Sequence, residues 1–332
     1  MRFHVGYQNK PRFKKFILEH SDQVSELYFP WETFTTGRGV AASREFQKTM
    51  ESDLAEFSRA GIDLCLLLNG NCYGRASLSR NFFQRLGDTV DFIRETFRLK
   101  SVTTSSPLIA KFLRKNFPEL KLQASVNMEI GTPEGIEYLL DYFDSFYLKR
   151  EYNYKLDVLI RMRDFCHSHG KKLFLLANSG CLNYCSARIF HDNLVAHQQE
   201  IAEMDNAFVF QSICNIFLKD PKNREEILCK SNFIRPEDIH HYEELCDGIK
   251  LATRTNHNPA AVAMAYFTGV WRGNLLDLTE PAHSEYFLPK IIANRRIPEE
   301  YAKKRFQCSG ICEKCGYCKE IQKQATIELS DN

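Results

Sequence analysis

Eight short runs of apolar, β-branched or aromatic residues recur along the chain, near 3–8, 25–30, 62–69, 101–104, 122–128, 144–149, 172–178 and 249–253. Each is too short for a helix and is flanked by longer stretches of helical periodicity, which reads as a strand buried in a sheet. Residues 45–60 place apolar side chains at helical spacing and stop at Gly61, and 106–117, 133–143 and 154–169 behave alike. Thr132-Pro133-Glu134 combines an N-cap, a first-turn proline and an acidic first turn, and Gly170 closes the next helix. Strands alternating with helices over short connections require parallel pairing and right-handed crossovers. Eight such units close into a (β/α)8 TIM-like barrel, an α/β fold. An open doubly wound sheet is the alternative, but Gln8-Asn9-Lys10-Pro11 after the first run is no glycine-rich phosphate loop.

One interval breaks this rhythm. From Asn178 to Gly248 there are about 70 residues, where a strand–helix unit takes only ~30. Additions that follow the C-terminal end of a strand stand on the face where barrels build active sites. Residues 178–248 are therefore expected to form a functional insertion after the seventh strand. A helix opened by Pro259 follows the eighth strand, and the periodicity then stops. The expected division is a barrel over 1–275 and a C-terminal extension over 276–332.

Cysteine usage gives that division chemical content. No apolar run approaches the ~20 residues needed to span a bilayer, and Met1-Arg2-Phe3-His4-Val5-Gly6 leads straight into the first strand. A cytoplasmic protein without membrane association is expected. There, twelve cysteines point to metal or redox chemistry rather than disulfides. Cys181 and Cys185, at C-x3-C spacing among Asn, Ser and Gly, follow a strand and so emerge at the barrel mouth, with Cys214 downstream in the same insertion. Thiolates so spaced hold zinc or an iron–sulfur cluster. Cys229 in the insertion and Cys72 after the third strand compete as fourth ligand; Cys229 is preferred, since an insertion supplying all four ligands explains its length. Cys308, Cys312, Cys315 and Cys318 crowd into eleven residues, a second metal motif for zinc or another cluster. Cys65, Cys166 and Cys246 occupy apolar positions and read as core.

Polar residues gather at the predicted strand ends: Asn127 and Glu129 after the fifth, Arg150 and Glu151 after the sixth, His191 in the insertion and Arg254 after the eighth. Together they are the candidate catalytic set, because barrel sites draw on several strand ends at one face. Lys+Arg 44 against Asp+Glu 42 leaves a net charge of +2, which gives no electrostatic case for nucleic acid. Lys303-Lys304-Arg305 reads as a solvated face.

Several of these segments resemble one family. Ser125-Val126-Asn127 with Gly131-Thr132-Pro133-Glu134-Gly135-Ile136 is similar to the "S-V-Q … N-x-E-A" strand and helix of peptidase family U32, the collagenase-like proteins. Phe146-Tyr147-Leu148-Lys149-Arg150-Glu151 resembles its "V-L-x-R-E-L" strand, and Ile234-Arg235-Pro236-Glu237-Asp238-Ile239 its "L-S-P-K-D-L" segment. Cys181 and Cys185 fall in its cysteine region, and Lys250 through Tyr266 parallels its "K-I-E-G-R … S-P-A-Y-V" close. The resemblance covers roughly residues 60 to 275. It implies a barrel with a four-cysteine 4Fe-4S cluster and oxygen-independent hydroxylation of ubiquinone precursors or RNA bases, with prephenate as oxygen donor for some members. The chain departs from the pattern at its C-x3-C pair, where many members have C-x6-C, at Thr253-Arg254-Thr255, and in its cysteine-rich tail.

The expectation is thus an iron–sulfur oxidoreductase, a hydroxylase or related group-transfer enzyme acting on a planar small molecule or nucleobase. Its cluster would sit on Cys181, Cys185, Cys214 and Cys229, with a second metal in the tail. A U32-type hydrolase is one alternative, although neither H-E-x-x-H nor G-x-S-x-G occurs. A non-catalytic iron–sulfur or RNA-binding subunit that works through a protein partner is another.

Overall fold

The computed structural model describes residues 1–40 and 44–329. Eight parallel strands close into a barrel: β1 (Phe3–Gly6), β2 (Val24–Phe29), β3 (Asp63–Leu68), β4 (Ser101–Thr104), β5 (Lys121–Ala124), β6 (Ser145–Tyr147), β7 (Lys172–Leu176) and β8 (Gly248–Leu251). Each strand pairs with its sequence neighbours, and β1 closes the ring against β8 with Phe3 opposite Ile249 and Val5 opposite Leu251. All eight expected strands are present, and the barrel is the expected one.

Alternation along each strand sorts side chains to two sides. Val5, Leu27, Leu66, Val102, Leu122, Phe146, Leu175 and Ile249 face outward into one apolar core. That core is completed by helix residues such as Ile17 of α1 (Pro11–Glu19), Leu54 of α2 (Arg44–Arg59), Val90 of α3 (Arg80–Phe97) and Leu113 of α4 (Pro107–Asn116). The barrel interior is polar instead. Glu26 accepts from Ser101 Oγ at 2.7 Å and Gln123 Nε2 at 2.6 Å, Thr103 donates to Gln123 at 3.0 Å, and His4 meets the Tyr147 hydroxyl at 2.6 Å. These bonds offset much of the cost of burying such groups, although Glu26 Oε1 accepts none among the described residues.

Local chemistry starts the helices where expected. Ser79, Ser106, Thr132 and Asn258 each accept a backbone N–H from the first turn of the helix they open. The element after β5 is shorter than its periodicity suggests. α5 covers only Pro133–Glu137, and the chain continues as three-residue turns such as Leu139 N–H to Ile136 O and Tyr142 N–H to Leu139 O. Gly135 sits in its middle, and glycine weakens a short helix. α6 (Leu156–Ser168) leads into β7.

Between β7 and β8 the chain forms α7 (Arg188–Ala196), α8 (Gln198–Ala202), α9 (Ile213–Lys219), α10 (Pro221–Arg224) and a 3-10 turn at Pro236–Tyr242. After α11 (Pro259–Thr268) the tail folds back. β9 (Lys290–Ile292) pairs antiparallel with β10 (Thr326–Glu328), while α12 (Tyr301–Phe306), α13 (Cys312–Cys315) and α14 (Tyr317–Ala325) lie between them in sequence. Ile292, Tyr301, Cys318, Ile321 and Ala325 belong to the same core as the barrel. Among the described residues no helix is long and apolar enough to cross a membrane.

Candidate active site at the barrel mouth

A cavity of about 330 Å³ opens at the C-terminal ends of the strands. Cys181, Cys185 and Cys214 all border it, so the insertion brings the three thiols to one place. Gly180 makes this possible. Its N–H donates to the Glu280 carbonyl at 3.0 Å, its own carbonyl meets His283 Nε2 at 2.9 Å, and a Cβ there would overlap the Pro281 carbonyl oxygen. The cysteine loop is therefore pinned by the tail, and only glycine allows so close an approach.

Cations line the same cavity: Arg38, Arg150, Arg188, Lys250 and Arg254. Arg150 donates to Asn127 Oδ1 at 2.9 Å and to Glu129 at 3.0 Å. Arg188 reaches Glu129 at 3.1 Å and the buried Glu151 at 2.8 Å. Two arginines and two carboxylates thus form a lattice under the cysteine loop, where the Tyr184 N–H also donates to Glu151 at 3.3 Å. Glu129 itself is held at φ +53, a strained backbone for a non-glycine residue. Arg38 pairs with Glu280 of the tail at 3.1 Å.

Arg254 and Lys250 differ from these three, since neither makes an ion pair among the described residues. Arg254 donates to Thr36 Oγ1, at 3.2 and 3.3 Å. Lys250 stands 3.8 Å from the centre of the Tyr28 ring, a cation–π contact. Burial, reinforced by Arg254, pushes the Lys250 ammonium down to about 8, against the opposing pull of Cys65 and Glu26.

Of the expected catalytic residues, Asn127, Arg150, His191 and Arg254 line the cavity, while Glu129 and Glu151 lie behind it and orient the arginines. Sequence reasoning missed Arg38, Arg188, Lys250 and Glu280. Lys250 alone carried a signal: a charged residue between Ile249 and Leu251 in an otherwise apolar run.

The remaining cysteines lie apart from this mouth. Cys65 is inside the barrel, 3.2 Å from Thr103 Oγ1, and Cys166 and Cys246 are in the apolar core, where burial raises all three thiols. Cys72 borders a second cavity of about 330 Å³, which His197 also lines. Cys229 is turned toward the tail, where Arg305 of α12 donates to the carbonyls of Leu228 and Ser231 on either side of it. The preferred ligand set of Cys181, Cys185, Cys214 and Cys229 is therefore not gathered at one point. Among the described residues no three Cys, His, Asp or Glu side chains come together closely enough to hold a metal ion. Arg305 is no part of a solvated face: it is 6% exposed and donates to the Leu228 and Ser231 carbonyls, the Asn232 side chain and the Tyr301 hydroxyl.

No family model matches the chain. An uncharacterized protease of Methanocaldococcus jannaschii is 25% identical over 315 residues, spanning 90% of this chain and 88% of the relative. A solved U32 peptidase structure superposes with a TM-score of 0.55 at 13% identity, covering 75% of this chain and 92% of the other. The chain is thus similar along nine-tenths of its length to a protein named as a protease, and it shares the barrel fold of a U32 peptidase, in line with the resemblance of the segments between Ser125 and Tyr266.

Proposed function

We propose that this protein is a barrel enzyme whose mouth thiols bind an iron–sulfur cluster beside an anion pocket, for oxygen-independent hydroxylation or related group transfer on a planar, anionic small molecule or nucleobase. The observation that carries this reading is the joint lining of one cavity by three thiols and five cationic side chains. The donor chemistry supports this reading: Cys181 and Cys185 of one loop and Cys214 of α9 are soft ligands that border one cavity. Bound there, a cluster would supply electron transfer and, with three protein ligands, leave one coordination position to substrate.

The chain's own residues do the rest. Arg254 and Lys250, without carboxylate partners among the described residues, are placed to take the anionic groups of a substrate. Arg150 and Arg188 are fixed by Glu129 and Glu151 and supply a rigid positive wall, the kind of preorganised charge that stabilises developing negative charge. His191, at the cavity edge, is placed to exchange a proton with bound substrate. Protein purified without oxygen should contain iron and acid-labile sulfide, and Cys181→Ser, Cys185→Ser and Cys214→Ser should each deplete both. Colourless protein with no sulfide would refute the cluster.

One separate observation favours a second reading, a thiol hydrolase. His197 lines the same cavity as Cys72 and bonds Glu200 at 2.9 Å, and the Gly74 N–H donates to the Cys72 sulfur at 3.3 Å. His197 nearby, then the Gly74 N–H, lowers the Cys72 thiol, while Cys72 and Glu200 raise His197. Nucleophile, base and orienting acid are thus in sequence beside a cavity. Cys72 would attack an acyl carbon, His197 would hand the proton to the leaving amine, and water would cleave the resulting thioester. Alkylation by iodoacetamide near neutral pH should modify Cys72 faster than the exposed Cys315, and His197→Ala should abolish the difference. Equal rates in the unaltered protein would remove this reading.

A further inference from the structure

Among the described residues Lys250 is the only lysine that borders the mouth cavity, and its surroundings suit an amine better than an ammonium. It is 8% exposed, with the Tyr28 ring centre 3.8 Å and the Tyr147 ring centre 5.1 Å from Nζ. Both rings are fixed. The Tyr28 hydroxyl donates to the Leu251 carbonyl at 2.7 Å, and the Tyr147 hydroxyl meets His4 Nδ1 at 2.6 Å. Tyr28 packs with Cys65 and Leu67, and Tyr147 with Phe174, Leu176 and Ala252, so each ring belongs to an apolar cluster inside the barrel.

The carboxylates of this region are engaged elsewhere. Glu280 accepts from Arg38 at 3.1 Å and from the Thr255 N–H at 2.9 Å. Glu26 Oε2 accepts from Ser101 and Gln123, and its Oε1 lies 3.7 Å from His4. No ion pair joins Lys250 to either among the described residues.

We propose that Lys250 is a nucleophilic amine that condenses with the terminal carbonyl of an anionic aldehyde at the mouth, forming a Schiff base. Such a bond needs the mouth to be the substrate site, as proposed above, but needs no cluster. The nitrogen lone pair attacks the carbonyl carbon. The carbonyl oxygen takes up the two protons that the nitrogen gives up and leaves as water, so carbon and nitrogen stay joined by a double bond. No oxidant or reductant is consumed. An anion without a carbonyl would meet the ammonium form instead.

Three features support this assignment. Burial pushes the Lys250 ammonium down to about 8, against 10.5 for an unperturbed lysine. At pH 8 roughly half of Lys250 is then free amine, against roughly one in 300 of an exposed lysine. Arg254, on the same cavity and without a carboxylate partner among the described residues, is placed to hold the anionic group. Gly6 brings it close: a Cβ there would lie 2.6 Å from Arg254 Cγ and 2.7 Å from the Tyr28 ring, so the Arg254 stem and the ring beside Lys250 are neighbours. The third feature is width. An aldehyde carbon carries only hydrogen on one side, whereas a ketone would press a second carbon substituent against a ring that its own hydrogen bond holds in place.

The test is reductive trapping on the full chain at pH 8, with glyoxylate as the anionic aldehyde and cyanoborohydride as reductant, and each lysine mapped by peptide mass spectrometry. Lys250 should gain a carboxymethyl group at least tenfold faster than the exposed Lys15. Inorganic phosphate should slow the labelling of Lys250 and leave Lys15 unchanged, and Arg254→Gln should do the same. If Arg254→Gln fails to fold, the phosphate competition on the unaltered chain decides. Pyruvate, a ketone, should leave Lys250 unlabelled. The mouth thiols add aldehydes reversibly and keep no label under this reductant. Equal rates at Lys250 and Lys15 would overturn the proposal, as would labelling indifferent to phosphate. Labelling by pyruvate as fast as by glyoxylate would overturn the restriction to aldehydes. Trapping is read in protein with or without iron and sulfide, so a missing Schiff base and a missing cluster are separate results.

Discussion

Lys250 shows how one residue links strand chemistry to the pocket. Ile249 and Leu251 point into the outer core, so the alternation of β8 turns Lys250 into the barrel, toward Tyr28 and the mouth. Its folded value of about 8 lies below the 10.5 of an unperturbed lysine, burial being the main cause. The ammonium therefore persists in the pocket below about pH 8 and is lost as pH rises through that value, while the unfolded chain stays protonated up to 10.5. Affinity for a dicarboxylate such as prephenate, followed by calorimetry, should fall across that interval. In Lys250→Met the affinity should be weaker by about tenfold, as for a lost charged hydrogen bond, and the step near pH 8 should disappear. An unchanged pH profile in the variant would mean that Lys250 does not face the ligand.

At the scale of elements, the contact between the cysteine loop and the tail is the joint on which the site depends. Gly180 packs against the Pro281 carbonyl with no room for a methyl group, and the obstacle is backbone, which cannot turn aside as a side chain can. Gly180→Ala should destabilise the fold by about 1–3 kcal/mol, the usual cost of overpacking. A lower unfolding temperature, with faster proteolysis after residue 276, would register it; an unaltered melting curve would contradict the packing. Strand and helix positions were legible in the sequence because each rests on local patterns: apolar runs, N-caps at Ser106 and Thr132, and glycine stops. The shortened α5 was not, since helical periodicity persists beyond Glu137 where the backbone has already turned. Nor was the role of Arg305, because a basic triplet looks the same whether one member is buried or all are solvated.

On the scale of the whole molecule, the tail is part of the barrel's core and not an appendage, since Cys318, Ile321 and Ala325 pack into the same cluster as the strand residues. A chain ending at Gln307 should therefore unfold at lower temperature than the full protein, because it loses these side chains and the β9–β10 pairing. Thermal unfolding followed by circular dichroism checks this, and equal midpoints would show the tail to be dispensable. Short-range periodicity sufficed to determine the eight strands, the parallel barrel they close and the face where Cys181, Cys185, Asn127, Arg150 and Arg254 emerge, because strand alternation and parallel connections leave few other solutions. Which cysteines become neighbours was decided only by tertiary structure. Cys229 lies 44 residues after Cys185 and 89 before Cys318, yet the segment that carries it packs on the tail and not at the mouth, because Arg305 and Gln322 of the returning tail bond its neighbours Leu228 and Ser231. Separation in sequence carries no record of such a contact.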